Sequence, residues 1–347
     1  MKQTSLLLAA ALALGSTLGC GPEFDPSSEV TTLRVLGLKK DKPYAQPGDT
    51  VQLQLLWHDA KGRDDVQTLF IDGCVNPPGD LYYGCFAQYG EAAAQGVLPR
   101  IGNEDRFEVT LPRDIISSRR GEVEPGQTPY GVQIVFFAVC AGRIELAMDA
   151  ASSDGSAGLP VRCLDEAGVA LGSADFIVGY STIYSFQGVS NTNPGFTVDE
   201  RGAAEFLIAG KPVAADCVGE ACHRAADVDV DCADEPERCI KPCADDGDSA
   251  CPEITVAPRI DPSVVERDDV SSDLFGAETL EQMWINYYVD QGSVSEVRLL
   301  NDSTTGWNAE FRGVLRAPKD PGQLKLWAVS HDNRGGMDFA RVTLKVE

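Results

Sequence analysis

Three alternating aspartates have the spacing in this sequence that comes closest to a metal site. Asp227, Asp229 and Asp231 offer the hard oxygen ligands that Ca²⁺ prefers. Counted from Asp227, the EF-hand calcium loop requires a Gly after the third acid and a Glu at its twelfth position, where Cys232 and Arg238 stand. We therefore expect a solvated acidic loop with no resident cofactor, and a calcium site on these aspartates is the alternative.

The three histidines show no pattern of an active site. His58 follows a predicted strand, His331 falls in a predicted turn, and His223 lies among clustered cysteines. No His-Glu-x-x-His, Gly-x-Ser-x-Gly, phosphate loop or dinucleotide fingerprint is present. We expect each histidine to be a solvated loop residue and the chain to be no enzyme.

Four aromatic residues crowd a segment of eight residues beside one cysteine. Such a group could form a platform for sugar rings or for another protein. The favoured alternative is that two or three of these rings cover one end of a core. The four candidates for binding are Tyr82, Tyr83, Phe86 and Tyr89.

The cysteines indicate an oxidising compartment. Of the eleven, one belongs to the export signal described below, and the even number that remains predicts disulfides. Two pairs flank separate loops, and the other six are crowded into one acidic segment, where we expect them to pair among themselves. The candidates are Cys74 and Cys85, Cys140 and Cys163, and then Cys217, Cys222, Cys232, Cys239, Cys243 and Cys251.

The N-terminus reads as an export signal. A lysine at position 2 precedes the apolar run Leu6–Leu14, which is too short to span a bilayer. Gly19-Cys20 resembles the end of a bacterial lipobox, although Thr17 departs from the usual Leu. The resemblance implies lipidation of Cys20, and Gly21 after it implies the outer membrane; ordinary cleavage to a secreted protein is the alternative. The net charge of −24 argues against nucleic acid as a partner.

The rest of the chain is patterned for strands. One segment alternates between Val51, Leu53, Leu55 and Trp57 on one face and Gln52, Gln54 and Leu56 on the other, as in a half-buried strand. The segment Val132–Val139 is apolar almost throughout, as expected for a central strand buried on both faces. Only short stretches at 90–98 and 111–116 suggest helical turns. The fold class predicted is all-β, with two immunoglobulin-like β-sandwich domains, the second carrying a disulfide-rich insert.

The composition of the Asn191–Gly195 stretch marks a linker between these domains. We place a signal peptide at 1–19, a lipidated tether at 20–29, a first domain at 30–190, a second at 191–347, and an acidic Cys-rich insert at 214–253.

A resemblance to a known group rests on both ends of the mature chain. Leu33–Leu36 followed by Gln46–Val51 looks like the opening strands of bacterial immunoglobulin-like domains. Leu324–Val346, with Asp332 and two glycines at its tip, looks like their closing hairpin. With the lipobox, the chain resembles two-domain immunoglobulin-like surface lipoproteins of myxobacterial type. The resemblance implies an outer-membrane address and supplies no catalytic residues.

These observations together predict an outer-membrane lipoprotein. It would be anchored by its N-terminal lipid, on the periplasmic or the cell-surface side. It would act as a non-catalytic structural or interaction module, and its partner would be an envelope protein or polysaccharide. An enzyme acting on envelope polymers and a calcium-dependent adhesin are the alternatives.

Overall fold

The computed structural model describes most of the chain that follows the expected signal peptide. The described residues are 26–63, 65–86, 88–89, 99–119, 127–146, 161–222, 225–244, 251–295, 297–302, 306–308 and 310–347. The signal peptide, Cys20, His223 and the suggested turn at 90–98 lie outside them. Within the described ranges, no helix has the length and apolar character needed to cross a membrane.

The first half of the chain forms a two-layered sandwich. Its strands are β1 (Leu33–Lys40), β2 (Thr50–Asp59), β3 (Gln67–Val75), β4 (Arg100–Gly102), β5 (Arg106–Thr110), β6 (Tyr130–Cys140), β7 (Arg143–Leu146), β8 (Val161–Leu164) and β9 (Phe176–Phe186). A three-stranded sheet, β1-β2-β5, faces a four-stranded sheet, β4-β3-β6-β9, and β7 and β8 form a separate hairpin. All pairings in the two sheets are antiparallel.

Strand β6 is buried on both faces, which confirms the expectation for this segment. Its inner residues, among them Val135 and Phe137, lie in the core between the sheets. Its outer residues are covered at one end by the β7–β8 hairpin, which packs on Ala138, and at the other by the stapled loop. This loop comprises residues 76–89 and is tied to β3 by the Cys74–Cys85 disulfide.

The second half repeats this architecture with additions. Its elements are β10 (Glu205–Ile208), β11 (Lys211–Ala214), β12 (Cys217–Val218), β13 (Cys239–Ile240), β14 (Ile254–Pro258), α1 (Asp269–Phe275), β15 (Met283–Val289), β16 (Ser293–Val294), β17 (Val297–Leu299), β18 (Asn301–Asp302), β19 (Gly306–Trp307), β20 (Gly313–Arg316), β21 (Gly322–Asp332) and β22 (Met337–Val346). One sheet has the order β11-β10-β14-β20-β16, and it faces β12-β22-β21-β15-β17 across a second core.

Both halves share one strand order. The pattern β1-β2-β5 against β4-β3-β6-β9 recurs as β10-β14-β20 against β17-β15-β21-β22. Two antiparallel sheets of three and four strands, with the chain crossing from one sheet to the other in this order, make an immunoglobulin-like sandwich. The predicted all-β fold of two such sandwiches, the second with a disulfide-rich insert, is confirmed.

The Cys-rich insert adds two short strands to the sheet of the second sandwich that contains β22. Strand β12 pairs with β22 in antiparallel fashion, and β13 pairs with the same strand in parallel. The insert therefore covers a sheet edge whose backbone groups would otherwise lack strand partners. Three bridges hold these very short strands in place: Cys217–Cys222, Cys232–Cys239 and Cys243–Cys251. The fifth disulfide, Cys140–Cys163, ties the first sandwich's hairpin to β6.

The two sandwiches are packed against each other. Leu36 and Leu56, on the outer face of the first, join a cluster with Trp327, Val329 and Phe339, on the outer face of the second. The Lys39 ammonium lies 2.8 Å from Asp338 Oδ1 across the same interface.

The predicted linker is held by hydrogen bonds. Asn191 Nδ2 donates to Asp332 Oδ2 (3.2 Å), and the Met337 amide donates to Asn193 Oδ1 (2.9 Å). The Ser330 hydroxyl donates to the carbonyl of Pro194 (2.5 Å). The stretch that connects the two sandwiches is therefore fixed to the second one.

Candidate functional site: exposed tyrosines and an inter-domain cleft

Two of the four predicted platform residues belong to the covering of β6. Phe86 and Tyr89 lie 5.9 and 5.6 Å from the Phe136 ring, centroid to centroid. The Tyr89 hydroxyl donates to the carbonyl of Ile134 (3.4 Å), and burial raises the pKa of this hydroxyl. These two rings therefore cover the core, which is the alternative that the sequence favoured.

The other two rings are exposed to solvent. Tyr82 and Tyr83 keep 42% and 57% of their surface exposed. Tyr82 stacks on Tyr180 of β9, with ring centroids 4.9 Å apart and planes inclined by 24°. Tyr180 is 49% exposed and did not stand out as a site residue in the sequence, although the alternation of β9 places it on the outer face. We call Tyr82 and Tyr180 the exposed tyrosine pair.

A polar brace holds the stapled loop in position. Arg119 donates to both carboxylate oxygens of Asp80 (2.7 and 2.8 Å) and lies 4.0 Å from the Tyr130 ring centroid. The Tyr130 hydroxyl donates to the same carboxylate (2.7 Å). Burial alone would raise the pKa of Asp80, but the hydrogen bonds from Arg119 and Tyr130 outweigh it, and the pKa is lowered. The brace joins the loop to β6.

The face that carries Tyr180 continues into a cleft of about 750 Å³ between the sandwiches. Tyr184 and Phe186 of β9 line one side. Trp284 of β15 lines the other, stacked on His331 of β21 at 5.2 Å and 11°. Leu274, 58% exposed on α1, stands at the rim.

A lysine is buried where the two sandwiches meet at the cleft. Lys40 is 4% exposed, and its ammonium donates to the carbonyl of Thr182 (2.8 Å). Burial lowers the pKa of Lys40 to about 8, although the charge of Asp332 acts in the opposite direction. The Asp332 carboxylate accepts the amides of Arg334 and Gly336 (2.7 and 2.8 Å), so it is committed to its own turn.

An ion cluster lies at the floor of the cleft, with Arg334 and Glu281 buried at its centre and Glu266 partly exposed. The guanidinium of Arg334 pairs with Glu281 Oε2 (2.6 Å) and with Glu266, and the side chains of Arg334 and Glu281 are each 2% exposed. Burial raises the pKa of Glu281 to about 6 despite this partner. Asp332 is the one carboxylate among the described residues that line the cleft, and it faces no second one there.

The expectation of solvated loop histidines is wrong for His58 and His331. Both lie on strands, and their rings contact Trp327 (4.8 Å) and Trp284 respectively. Burial lowers the pKa of each to about 4, so both are neutral at pH 7. Their flat rings serve as packing surfaces for tryptophans.

The three predicted calcium ligands have separate partners. Asp227 pairs with Lys325 (2.7 Å), Asp229 accepts the Gln323 amide (2.8 Å), and Asp231 accepts a backbone amide of its own turn. Of the residues described, those within mutual reach of one ion are Cys232, Cys239 and Glu347, and the two cysteines are bonded to each other. The structure thus does not bring the three aspartates together.

No protein-family model matches the chain, and no curated protein does. Among solved structures, the chain is similar to the D00-D0 domain of intimin, with 11% identity, 89% of this chain and 99% of that chain covered, and a TM-score of 0.20. A likeness this weak supports no statement about fold or site, which rest on the strand order and contacts given above.

Proposed function

We propose that this protein is an outer-membrane lipoprotein, anchored through Cys20, that acts as a non-catalytic interaction module and binds an envelope protein or polysaccharide. The export signal and the lipobox support the anchor. The disulfides support a compartment outside the cytoplasm, because such bonds persist in oxidising surroundings.

The observation that carries the binding role is the exposed tyrosine pair. Tyr82 and Tyr180 stack on each other while about half of the surface of each residue remains open to water. A disulfide and the Asp80–Arg119 brace both fix the loop that carries Tyr82. Rigid aromatic surface of this kind is typical of binding sites, since little conformational entropy is lost on contact.

The two alternatives find less support in the geometry. An enzyme acting on envelope polymers would use paired carboxylates that face open space, whereas Asp332 is hydrogen-bonded within its turn and Glu281 is closed to solvent. A calcium-dependent adhesin would need aspartates whose oxygens converge on one point, whereas Asp227 and Asp229 each contact a different residue.

The test of the proposal is capture from the native envelope. The full-length lipoprotein, immobilised in detergent, should retain a protein or polysaccharide that Tyr82→Ala and Tyr180→Ala each release. Leu299→Ala, of similar exposure (48%) on the second sandwich, is the matched control. Equal capture by all variants would refute the proposed surface.

The anchor is tested separately by Cys20→Ser. The unlipidated variant should leave the membrane fraction and appear in the soluble one. A variant that still partitions with detergent-phase lipoproteins would show that the anchor is something else.

A further inference from the structure

We infer that the inter-domain cleft is a binding site for a neutral saccharide. This inference rests on the proposed interaction role and names its ligand class and location. Three properties of the cleft lead to it: the faces of its rings, the free polar tips among them, and its charge.

The walls of the cleft offer flat apolar faces. Tyr130, Tyr184 and Phe186 are grouped on the first sandwich, with Phe186 5.1 Å from Tyr130 and 5.7 Å from Tyr184, at inclinations of 29° and 25°. Trp284 stands on the second sandwich, stacked on His331. An apolar cleft with a few placed polar groups is the usual form of a small-molecule site, and the C–H face of a sugar ring suits such walls.

Several polar tips in the cleft have no protein partner within the described part of the chain. They include the hydroxyls of Tyr44 and Tyr184 and the indole N–H of Trp284, and the Lys40 ammonium uses one of its three N–H groups. Tyr44 and Lys40 are both at least nine-tenths buried. These donors are open to the cleft, and a polyhydroxylated ring carries many acceptors around its edge.

The charge of the site disfavours ions of either sign. Arg334 is already paired with Glu281 and Glu266 at the floor of the cleft, and the charge of Lys40 is opposed by that of Asp332, so no net positive charge is left to hold an anion, which the chain's charge of −24 also repels. A cationic ligand would meet the buried ammonium of Lys40. A neutral ligand with both a ring face and hydroxyls avoids both penalties.

The test is titration of the full-length protein in detergent with short neutral oligosaccharides, followed by calorimetry. Parallel titrations use the matching uronate oligosaccharides and a lysine-rich peptide. Tyr184→Ala removes one wall, Tyr184→Phe removes only the hydroxyl, and Lys40→Met removes the ammonium. Leu299→Ala, 48% exposed and outside the cleft, is the control.

We expect at least one neutral sugar to bind, and Tyr184→Ala and Lys40→Met each to weaken its binding about tenfold or more, with Leu299→Ala unchanged. Tyr184→Phe should lose less than Tyr184→Ala. Preference for uronates or for the peptide, no binding of any neutral sugar, or binding that both cleft variants leave unchanged would overturn the inference. If the wild-type protein still captures an envelope ligand that Tyr82→Ala releases, the proposed function survives a failure of the sugar titration. If the wild-type protein captures nothing from the envelope either, both proposals fail.

Discussion

Replacing the buried Lys40 with methionine should make the protein more stable at neutral pH. The pKa of Lys40 falls from 10.5 to about 8 on folding. At pH 7 the amine is charged in both the folded and the unfolded chain, so the lowering of its pKa opposes folding in full. The difference between 10.5 and about 8 corresponds to about 3 kcal/mol.

The methionine variant recovers most of this free energy. It loses the hydrogen bond to the carbonyl of Thr182, which is worth about 1 kcal/mol. The expected net gain in the free energy of unfolding is therefore about 2 kcal/mol at pH 7. The gain should shrink as the pH rises from 8 to 10.5, because over that window the native lysine loses its proton first in the folded state.

The assay is chemical denaturation of both proteins, without reductant, at pH 7 and at pH 10. Lys42→Met is the matched control, since the Lys42 side chain is 42% exposed and its replacement should change stability by less than about 0.5 kcal/mol. A Lys40→Met protein that is less stable than wild type at pH 7, or a gain that does not depend on pH, would refute the reasoning.

Three other changes test the packing. Arg238→Met should lower the free energy of unfolding by about 2 kcal/mol, because the buried Asp216 loses the guanidinium 2.7 Å away and keeps that of Arg341 at 3.4 Å; denaturation without reductant measures this. Gly179→Ala drives a methyl group into the Phe137 ring on the neighbouring strand and should cost about 1–3 kcal/mol, seen as a lower melting temperature. The two sandwiches exported separately should each be less stable than in the intact chain and should bind a hydrophobic dye, since each exposes its half of the shared cluster; fragments as stable as the whole would contradict this.

The sequence was most informative where structure is periodic. Alternation located long strands such as β2, because residues two apart on a strand share one face, and a continuous apolar run located β6, which is buried on both faces. It missed α1, a helix of seven residues that is too short to show a helical period. Its ends are marked only by Asp268, whose side chain accepts the Ser271 amide, and by Gly276 at φ +65°.

The cleft lay beyond what local pattern can show. Lys40, Tyr184 and Trp284 come from strands far apart in the chain. Alternation assigns each residue to a face of its own sheet, but it does not tell which outer faces of two sandwiches meet. The histidines were misjudged for a related reason, since the tryptophans that cover His58 and His331 lie on other strands.

The first described residues attach to the end of β15 that lies away from the cleft. The amide of Val30 donates to the carbonyl of Val289 (2.7 Å), and the Val289 amide donates to that of Ser28, so the chain enters at the far end of β15. Trp284 is five residues away on the same strand, which is roughly 17 Å. Cys20 precedes Ser28 by eight residues, a covalent reach of at most about 28 Å. If lipid holds Cys20, the tether joins the second sandwich at the end of β15 away from Trp284, so the attachment itself leaves the opening of the cleft clear for a polymer strand.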